Sequence, residues 1–451
     1  MSSKKTEDLI MLTKDYSREP VPLSERRSWI PLTLIWLAMG VDLSALVLGS
    51  TLASGLTLLD AIIVVSIGSF ILAVIGAVCS YVGSTTGLST AMINRFAFGE
   101  RGAYVVIIVA SIAMFGWFGV TAGFFGESAS YTLAAVTGLE INPKWLALVG
   151  GLLMTVTATI GYKAIEKLSM VAVPLMLGML ISMIYKLIAG GSENLNALLT
   201  IQPPDSMGIG MAISLVAGAF ISACSHSPDV GRWAKKPSDA VLSGFFGFLI
   251  GNSLMMFLAA FLTRLTGTED VIQIMLAIGW GFAAVIILIL AQWTTNDNNM
   301  YSLGLNLSIM FKWVPKSVLT IIAGLLGTGL AVAGIYGRFI DFLTILSPFA
   351  APFVGIYLVE YFFLNRSRFK MAFIYQHKVK PFYWHSLLVW GIASLLGLMT
   401  TPAADGGLGK LTLTQIPILD GLLTAMLLQF LLGKIIARIQ QKKDLSKTTV
   451  A

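Results

Sequence analysis

The chain has 451 residues, of which 56% are hydrophobic and only 12% are charged. This composition excludes a soluble globular protein and predicts a polytopic membrane protein. The net charge of +7 is explained if basic loops lie on one side of a membrane, so it does not require a nucleic-acid partner.

Apolar runs of about 20 residues, the length that crosses a hydrocarbon core of about 30 Å, predict the membrane-spanning helices. Residues 1–28 are polar and lack the apolar core of a cleaved signal peptide, so we expect the first span to be retained. Twelve spans are predicted, near residues 31–57, 60–83, 102–135, 144–162, 168–190, 207–229, 238–263, 271–296, 317–335, 339–363, 382–400 and 418–438.

The distribution of basic residues predicts the orientation of these spans. With both termini in the cytoplasm, all but five of the 30 Lys and Arg residues lie in cytoplasmic segments. We therefore expect a multi-pass protein of the inner (cytoplasmic) cell membrane with both termini inside. The basic residues left outside are Lys144, Lys186, Arg264, Arg338 and Lys410.

Two predicted spans look interrupted. The first carries Gly40, Asp42 and Ser44, and the sixth is expected to break around Gly218 and again at a Ser/His/Pro run. Because these spans are five apart, they correspond if spans 1–5 and 6–10 are two repeats, of which the second is inverted. Alternatively, the glycines only allow close helix packing. The repeat interpretation divides the chain into a cytoplasmic tail (1–28), a first repeat (29–190), a second, inverted repeat (207–363), spans 11 and 12 (382–438) and a cytoplasmic tail (439–451).

A polar block follows the apolar part of the eighth span, in the stretch AVIILILAQWTTNDNN at 284–299. Another apolar stretch follows it, so the block is either a loop or a site. Thr294 and Thr295 share one face of a helical turn with Ala291. We expect residues 296–299 to form the polar cytoplasmic exit of the span.

Several short stretches together resemble a known family, the bacterial cytosine permeases of the nucleobase-cation symport family. The resemblance covers about residues 20–370. It implies an all-α membrane protein of LeuT-like fold, with twelve transmembrane helices arranged as inverted five-helix repeats plus two extra helices. It also implies import of a small heterocycle by alternating access, with a cation, usually sodium, as coupling ion and no other cofactor. The stretches are NRFAFGERG (94–102), GWFGV (116–120), GLLMTVTATIG (151–161), GAFISA (218–223) and WTTNDN (293–298).

The resemblance also implies a sodium site. Thr294 and Thr295 would supply hydroxyl oxygens, and Ala291 would supply a backbone carbonyl. Two further carbonyls would come from Ala38 and Val41, where the first span unwinds. Irregular backbone at this depth is tolerated where it lines a cavity. The alternative is that the threonine hydroxyls only bond to carbonyls of their own helix.

The expected substrate site contains Trp117, Phe220, Ser222, Asp42 and Met114. In the resembled permeases the matching tryptophan and phenylalanine sandwich a flat ring, and Ser222 would add a hydroxyl. This chain departs from that pattern, because Met114 replaces a glutamine and Ala291 (above) replaces an asparagine.

Asp42 stands where the resembled permeases have an apolar residue. An ionisable residue within a span costs about 2.5–3.5 kcal/mol on insertion scales, which favours a functional role. The alternative is that Asp42 caps the second half of the broken helix. Glu127 is a second acidic candidate, placed nearer the outer end of span 3.

These features predict a sodium-coupled importer of a nucleobase or a similar flat nitrogen heterocycle. One alternative is a permease for a cationic or basic small molecule, with Asp42 as its counter-ion. A remote alternative is a membrane-embedded enzyme or receptor, but the sequence has no GxSxG turn and no P-loop pattern. The expected partners are the heterocycle and the lipid bilayer, with no nucleic acid and no obligate protein partner.

Overall fold

The computed structural model describes residues 16–189, 202–203, 206–268, 281–376, 378–403 and 406–448. Within these ranges the regular structure is helical, apart from an isolated bridge between Arg27 and Ala234. The α-helices, numbered in chain order, are α1 Trp29–Gly40, α2 Leu43–Gly55, α3 Leu58–Thr86, α4 Thr90–Phe98, α5 Ala103–Thr137, α6 Pro143–Ile160, α7 Tyr162–Ala189, α8 Ile209–Ser225, α9 Ser227–Gly231, α10 Pro237–Thr266, α11 Gly281–Met310, α12 Lys316–Val332, α13 Phe339–Val359, α14 Met371–Tyr375, α15 Trp384–Thr400 and α16 Pro417–Thr448.

Each of the twelve predicted spans overlaps one helix or a broken pair, and α11 continues 14 residues past the predicted end of the eighth span. By length and composition, six described helices are able to cross a membrane, or seven if α1 and α2 count as one bent span. The helices α8, α12 and α15 are apolar but shorter. Some predicted segments lie partly outside the described residues. These are residues 271–280 of the eighth span, residue 190 of the fifth, and residues 1–15 and 449–451 of the two tails.

The break in the first span lies where the sequence predicts it. The helix α1 ends at Gly40, α2 begins at Leu43, and the two axes differ by 56°. Asp42 has extended backbone angles, and its side chain accepts a hydrogen bond from the amide of Ser44. An aspartate in this conformation stabilises a helix start because it satisfies an amide that has no partner within the helix. The residue at the break, Asp42, therefore also stabilises the start of α2.

The sixth span breaks at one of the two expected places. The helix α8 is continuous through Gly218, so the expectation of unwound backbone there is wrong. Gly218 instead allows a close approach by the side chain of Ser347 on α13. The interruption falls at His226, just before Pro228, which cannot donate the next backbone hydrogen bond. The Ser/His/Pro run is thus the real break.

The helices form two packed groups, and the interrupted helices α1, α2 and α8 belong to the first of them. In one group α10 packs on α1, α2 and α3, and α8 packs on α3. In the other, α11 and α12 pack on α5 and α6. The helices α13, α15 and α16 pack together, and α13 also contacts α8. The break in α1–α2 faces the second group through the contact of α1 with α11.

We predict that Gly40→Leu destabilises the packing of α1 on α10. A Cβ atom at residue 40 would overlap the backbone of Gly251, so one of the two helices would have to move. Overpacking of this kind is expected to cost about 3 kcal/mol of unfolding free energy. The matched control is Gly329→Leu on α12, where a Cβ would meet no atom within 4 Å. The midpoint of thermal denaturation of the purified protein measures both, and a Gly40→Leu protein that melts with the wild type would contradict this packing.

Candidate functional site

Two aromatic side chains from the two helix groups lie next to each other. The ring centroids of Trp117 on α5 and Phe220 on α8 are 6.2 Å apart, with 31° between the ring planes. Phe339 and Phe342 of α13 pack edge-on against Trp117, each with a centroid distance of 5.7 Å. Edge-to-face contacts of this kind hold the indole in one orientation. The structure therefore brings the predicted aromatic pair together.

A small cavity adjoins this pair. Its free volume is about 10 Å³, which is room for about one water molecule. A planar ring stacked between two aromatic faces needs roughly 7 Å, because each contact takes about 3.5 Å. A heterocycle can therefore enter only if α5 and α8 move apart. The cavity is lined by Met39, Asp42, Trp117, Ala219, Phe220, Ala223, Thr295 and Asn299.

Asp42 both caps α2 and lines the cavity. Its Oδ1 accepts from the amide of Ser44, so the capping alternative describes a real contact. Its Oδ2 has no hydrogen-bond partner among the described residues, although the side chain is only 1% exposed. An acceptor that faces a cavity can be paired by a ligand or by a water molecule held there. One carboxylate oxygen is thus structural, and the other remains available to accept a hydrogen bond.

The polar block of the eighth span lies inside the protein. The helix α11 runs from Gly281 to Met310, and residues 294–299 are each at most 5% exposed. The expectation that residues 296–299 form a cytoplasmic exit is therefore wrong. Neighbouring helices supply partners for Asn296 and Asp297: Asn296 Nδ2 donates to the carbonyl of Phe118 on α5 at 3.3 Å. The hydroxyl of Thr157 on α6 donates to Asp297 Oδ1 at 2.6 Å.

Asn299 is a cavity residue that the sequence analysis missed. Its side chain is 3% exposed, and its Nδ2 has no hydrogen-bond partner in the part of the chain that the structure describes. Asn299 follows Thr295 by four residues, which places both on one face of α11. That spacing would have identified it if the helix had been extended past residue 296. The cavity therefore holds a free donor group as well as the free acceptor of Asp42.

The paired threonines of α11 lie against the end of α1. Thr294 Oγ1 is 3.1 Å from the carbonyl oxygen of Ala38 and 3.0 Å from that of Ala291. Thr295 Oγ1 is 3.3 Å from the carbonyl oxygen of Met39. The last carbonyls of a helix lack partners within it, so the break in the first span makes those of α1 available. Thr294 Oγ1 also donates to the carbonyl of Leu290 in its own helix. The hydroxyl therefore contacts both the carbonyl expected in a sodium site and the carbonyls of its own helix.

The remaining predicted residues do not line the cavity. Val41 is buried at the break, with non-helical angles (φ −83°, ψ 79°). Ser222 and Met114 are buried but do not line the cavity. Ser222 follows Phe220 by two residues, so it lies about 200° around α8. Glu127 is exposed, further along α5 and away from the cavity. This geometry gives Ser222, Met114 and Glu127 no direct contact with the cavity.

Comparison with known proteins gives consistent sequence matches. The family model described as "Permease for cytosine/purines, uracil, thiamine, allantoin" matches residues 20–433. The cytosine permease of Escherichia coli (strain K12) is 34% identical over 356 residues, which cover 79% of this chain and 83% of the relative. The hydantoin permease of Microbacterium maritypicum is 22% identical over 398 residues, covering 82% and 81%.

Solved structures show the same fold. Mhp1, a nucleobase-cation-symport-1 family transporter in a closed conformation with bromovinylhydantoin bound, superposes with a TM-score of 0.78 at 20% identity, covering 93% of this chain and 95% of that one. A Na⁺-coupled sialic acid symporter in a substrate-bound outward-open state gives a TM-score of 0.63 at 13% identity, covering 95% of each chain. These superpositions confirm the predicted fold class.

Proposed function

Since this chain belongs to the family of permeases for cytosine and purines, uracil, thiamine and allantoin, we propose that it imports a nucleobase, cytosine-like or purine, or a related flat nitrogen heterocycle, coupled to sodium. The chain is a membrane transporter and not an enzyme. The observation that carries the proposal is a single cavity with two aromatic walls, a free acceptor on Asp42 and a free donor on Asn299.

The two free polar groups suit the edge of an aminated base. Cytosine and adenine carry an exocyclic amine beside a ring-nitrogen acceptor, whereas a purely apolar ring would leave both protein groups unpaired. In this proposal Oδ2 of Asp42 accepts from the amine, and Nδ2 of Asn299 donates to the ring nitrogen. Pairing both groups removes the cost of burying them alone, which is about 1–3 kcal/mol each. Trp117 and Phe220 stack on the two faces of the ring.

Sodium coupling is supported by the oxygens around Thr294. Its hydroxyl lies within 3.1 Å of two backbone carbonyls, one on each of two helices. Neutral oxygens at a helix break are typical ligands for sodium in transporters. Thr295 also lines the cavity, so a cation held by both hydroxyls would lie beside the wall of the substrate cavity. Binding of one would then favour binding of the other.

Alternating access follows from where the stacking residues lie. Trp117 belongs to one helix group and Phe220 to the other, so a bound ring would join the two groups. The interruptions at Asp42 and His226 give the first group places to bend. We place the repeats at 29–190 and 207–363, the two extra spans at 382–438, and both termini in the cytoplasm at the inner membrane. The two helix breaks support the repeats, and the basic loops support the orientation.

A second candidate substrate is a cationic or strongly basic small molecule. The observation that favours it is the buried carboxylate oxygen of Asp42, which has no partner among the described residues. An ammonium or amidinium group would pair with it directly. A neutral base uses the same oxygen only as a hydrogen-bond acceptor, so the two candidates differ in how much they depend on its charge.

Variants of Asp42 are predicted to separate these candidates. Asp42→Asn keeps the cap of α2 but removes the charge. It should weaken the binding of a neutral base by about tenfold or less, and the binding of a cation by a hundredfold or more. Asp42→Ala should also lower the melting temperature, because it loses the cap. Asp239→Asn, at a helix start remote from the cavity, is the matched control. Equal affinity of all variants for every ligand would leave Asp42 with the capping role alone.

A thermal-shift screen of the purified protein tests the proposed function itself. The ligands are cytosine, adenine, uracil, allantoin and a benzamidine as cation, each with sodium and with potassium in its place. A ligand that binds only the folded state raises the melting temperature of the protein. We expect an aminated base to do so, more strongly in sodium. A screen in which none of these heterocycles stabilises the protein would contradict the proposal.

A further inference from the structure

A second cavity lies at the far end of α13, away from the cavity described above. Its volume is about 290 Å³, and it is lined by the end of α13, the start of α15, residues 433–437 of α16, and residues 365–368 and 380–383. No residue is shared between the linings of the two cavities. Its polar lining is Glu360, Asn365, Arg368, Lys380, Tyr383 and His385, and its apolar wall includes Phe96 and Ile436.

The base of this cavity is already satisfied by the protein. Glu360 is 4% exposed, and its Oε2 accepts from Asn365 Nδ2 at 2.7 Å. Its Oε1 accepts from Gln429 Nε2 at 2.7 Å and lies 4.0 Å from His385 Nε2. Both carboxylate oxygens of Glu360 are therefore engaged by donors of the protein.

The wall of the cavity is also fixed in place. The carbonyls of Lys380 and Pro381 accept from the amides of Glu100 and Arg101, at 2.9 and 2.8 Å. The amide of Tyr383 donates to the carbonyl of Phe98 at 2.9 Å. These bonds join the segment before α15 to the corner between α4 and α5. The cavity is thus preformed, as binding sites for small ligands usually are.

Two cations at the rim lack partners. Arg368 and Lys380 are exposed, and neither side chain makes a hydrogen bond or an ion pair with any residue that the structure describes. Beside them Trp384 is 69% exposed and stacks on Phe382, with centroids 4.8 Å apart and 13° between the planes. Exposed tryptophan at a helix end is typical of the level of the lipid headgroups. The free cations therefore lie where phosphates of the bilayer are found.

We propose that this cavity binds the phosphate of an anionic phospholipid headgroup. Arg368 and Lys380 hold the phosphate oxygens, and the stacked Phe382 and Trp384 flank the start of the acyl chains. Two rim cations, Arg368 and Lys380, against the single carboxylate of Glu360 leave the site with an excess of positive charge. Basic pockets between the ends of membrane helices bind anionic headgroups in this way. A bound lipid would tie α13, α15 and α16 together and stabilise them.

Lipid-dependent stability of the full-length protein tests this site. Purified, delipidated protein is melted with phosphatidylglycerol, with phosphatidylcholine of the same acyl chains, or with inorganic phosphate. We expect phosphatidylglycerol to raise the melting temperature most. In the double variant R368Q/K380Q that gain should be lost, with phosphatidylglycerol binding about tenfold weaker or more by native mass spectrometry. K370Q, an exposed lysine of the same segment that does not line the cavity, is the matched control and should keep the gain.

Three outcomes would overturn the proposal. An equal gain in wild type and double variant would mean that the headgroup is not held here. An equal gain from phosphatidylcholine would remove the preference for anionic lipid, and an equal gain from inorganic phosphate would make free phosphate the ligand. R368K/K380R, which changes both side chains but keeps both charges, should retain part of the gain, and this separates loss of charge at the site from a folding defect of R368Q/K380Q.

Discussion

Replacing Trp117 by alanine is expected to weaken substrate binding by about 1–3 kcal/mol, or roughly fivefold to a hundredfold, the range measured for stacking of a base on an aromatic side chain. The loss should be this large because Trp117 lines the cavity beside Phe220. Trp117→Phe should retain part of the affinity, since one ring face survives. Ligand-induced thermal stabilisation measures the series.

The control for a general loss of aromatic area is Trp145→Ala. Trp145 is 65% exposed at the start of α6 and takes no part in the cavity. The Trp145→Ala protein should bind ligand with the affinity of the wild type. If Trp117→Ala and Phe220→Ala both bind normally while remaining folded, the substrate site lies elsewhere in the protein.

Removing the hydroxyls of Thr294 and Thr295 is expected to abolish the effect of sodium on substrate affinity. Coupling between two ligands is usually worth about 1–3 kcal/mol, so sodium should tighten substrate binding about fivefold to a hundredfold in the wild type. Thr294→Ala and Thr295→Ala should each reduce this ratio towards one. By reciprocity, the substrate should lose its effect on sodium affinity by the same factor.

These alanine variants also lose contacts between α11 and α1, so stability must be separated from coupling. Thr→Ser at either position keeps the hydroxyl and should keep the sodium effect. Thr328→Ala on α12 removes a buried hydroxyl that bonds within its own helix, remote from the site. A sodium effect that persists in both alanine variants would rule out a site at these oxygens.

Features that depend on local chemistry could be predicted from the sequence. The spans follow from apolar runs, and the break in the first span follows from Gly40 and Asp42, because an aspartate at that place caps a new helix. The aromatic pair came from the family resemblance. The two rings are close in space because α5 and α8 both border the same cavity.

Features that depend on neighbouring helices could not be predicted. Gly218 looked like a break, yet it serves the approach of Ser347 on α13, which no local pattern reveals. Residues 296–299 looked like an exit to water, yet Phe118 and Thr157 supply partners to Asn296 and Asp297 from other helices. For the same reason Asn299 was missed and Ser222 was included, since both depend on how far a helix continues and which face it turns inward.

Uptake into proteoliposomes tests the central claim most directly. Purified protein is reconstituted, and entry of radiolabelled cytosine and adenine is followed at equal pH on both sides. One arm has an inward sodium gradient, and the other has potassium in its place. We predict accumulation above the equilibrium concentration only with the sodium gradient, and its loss in Trp117→Ala. Uptake that is the same in the absence of sodium, or no accumulation of either base, would contradict a sodium-coupled importer of nucleobases.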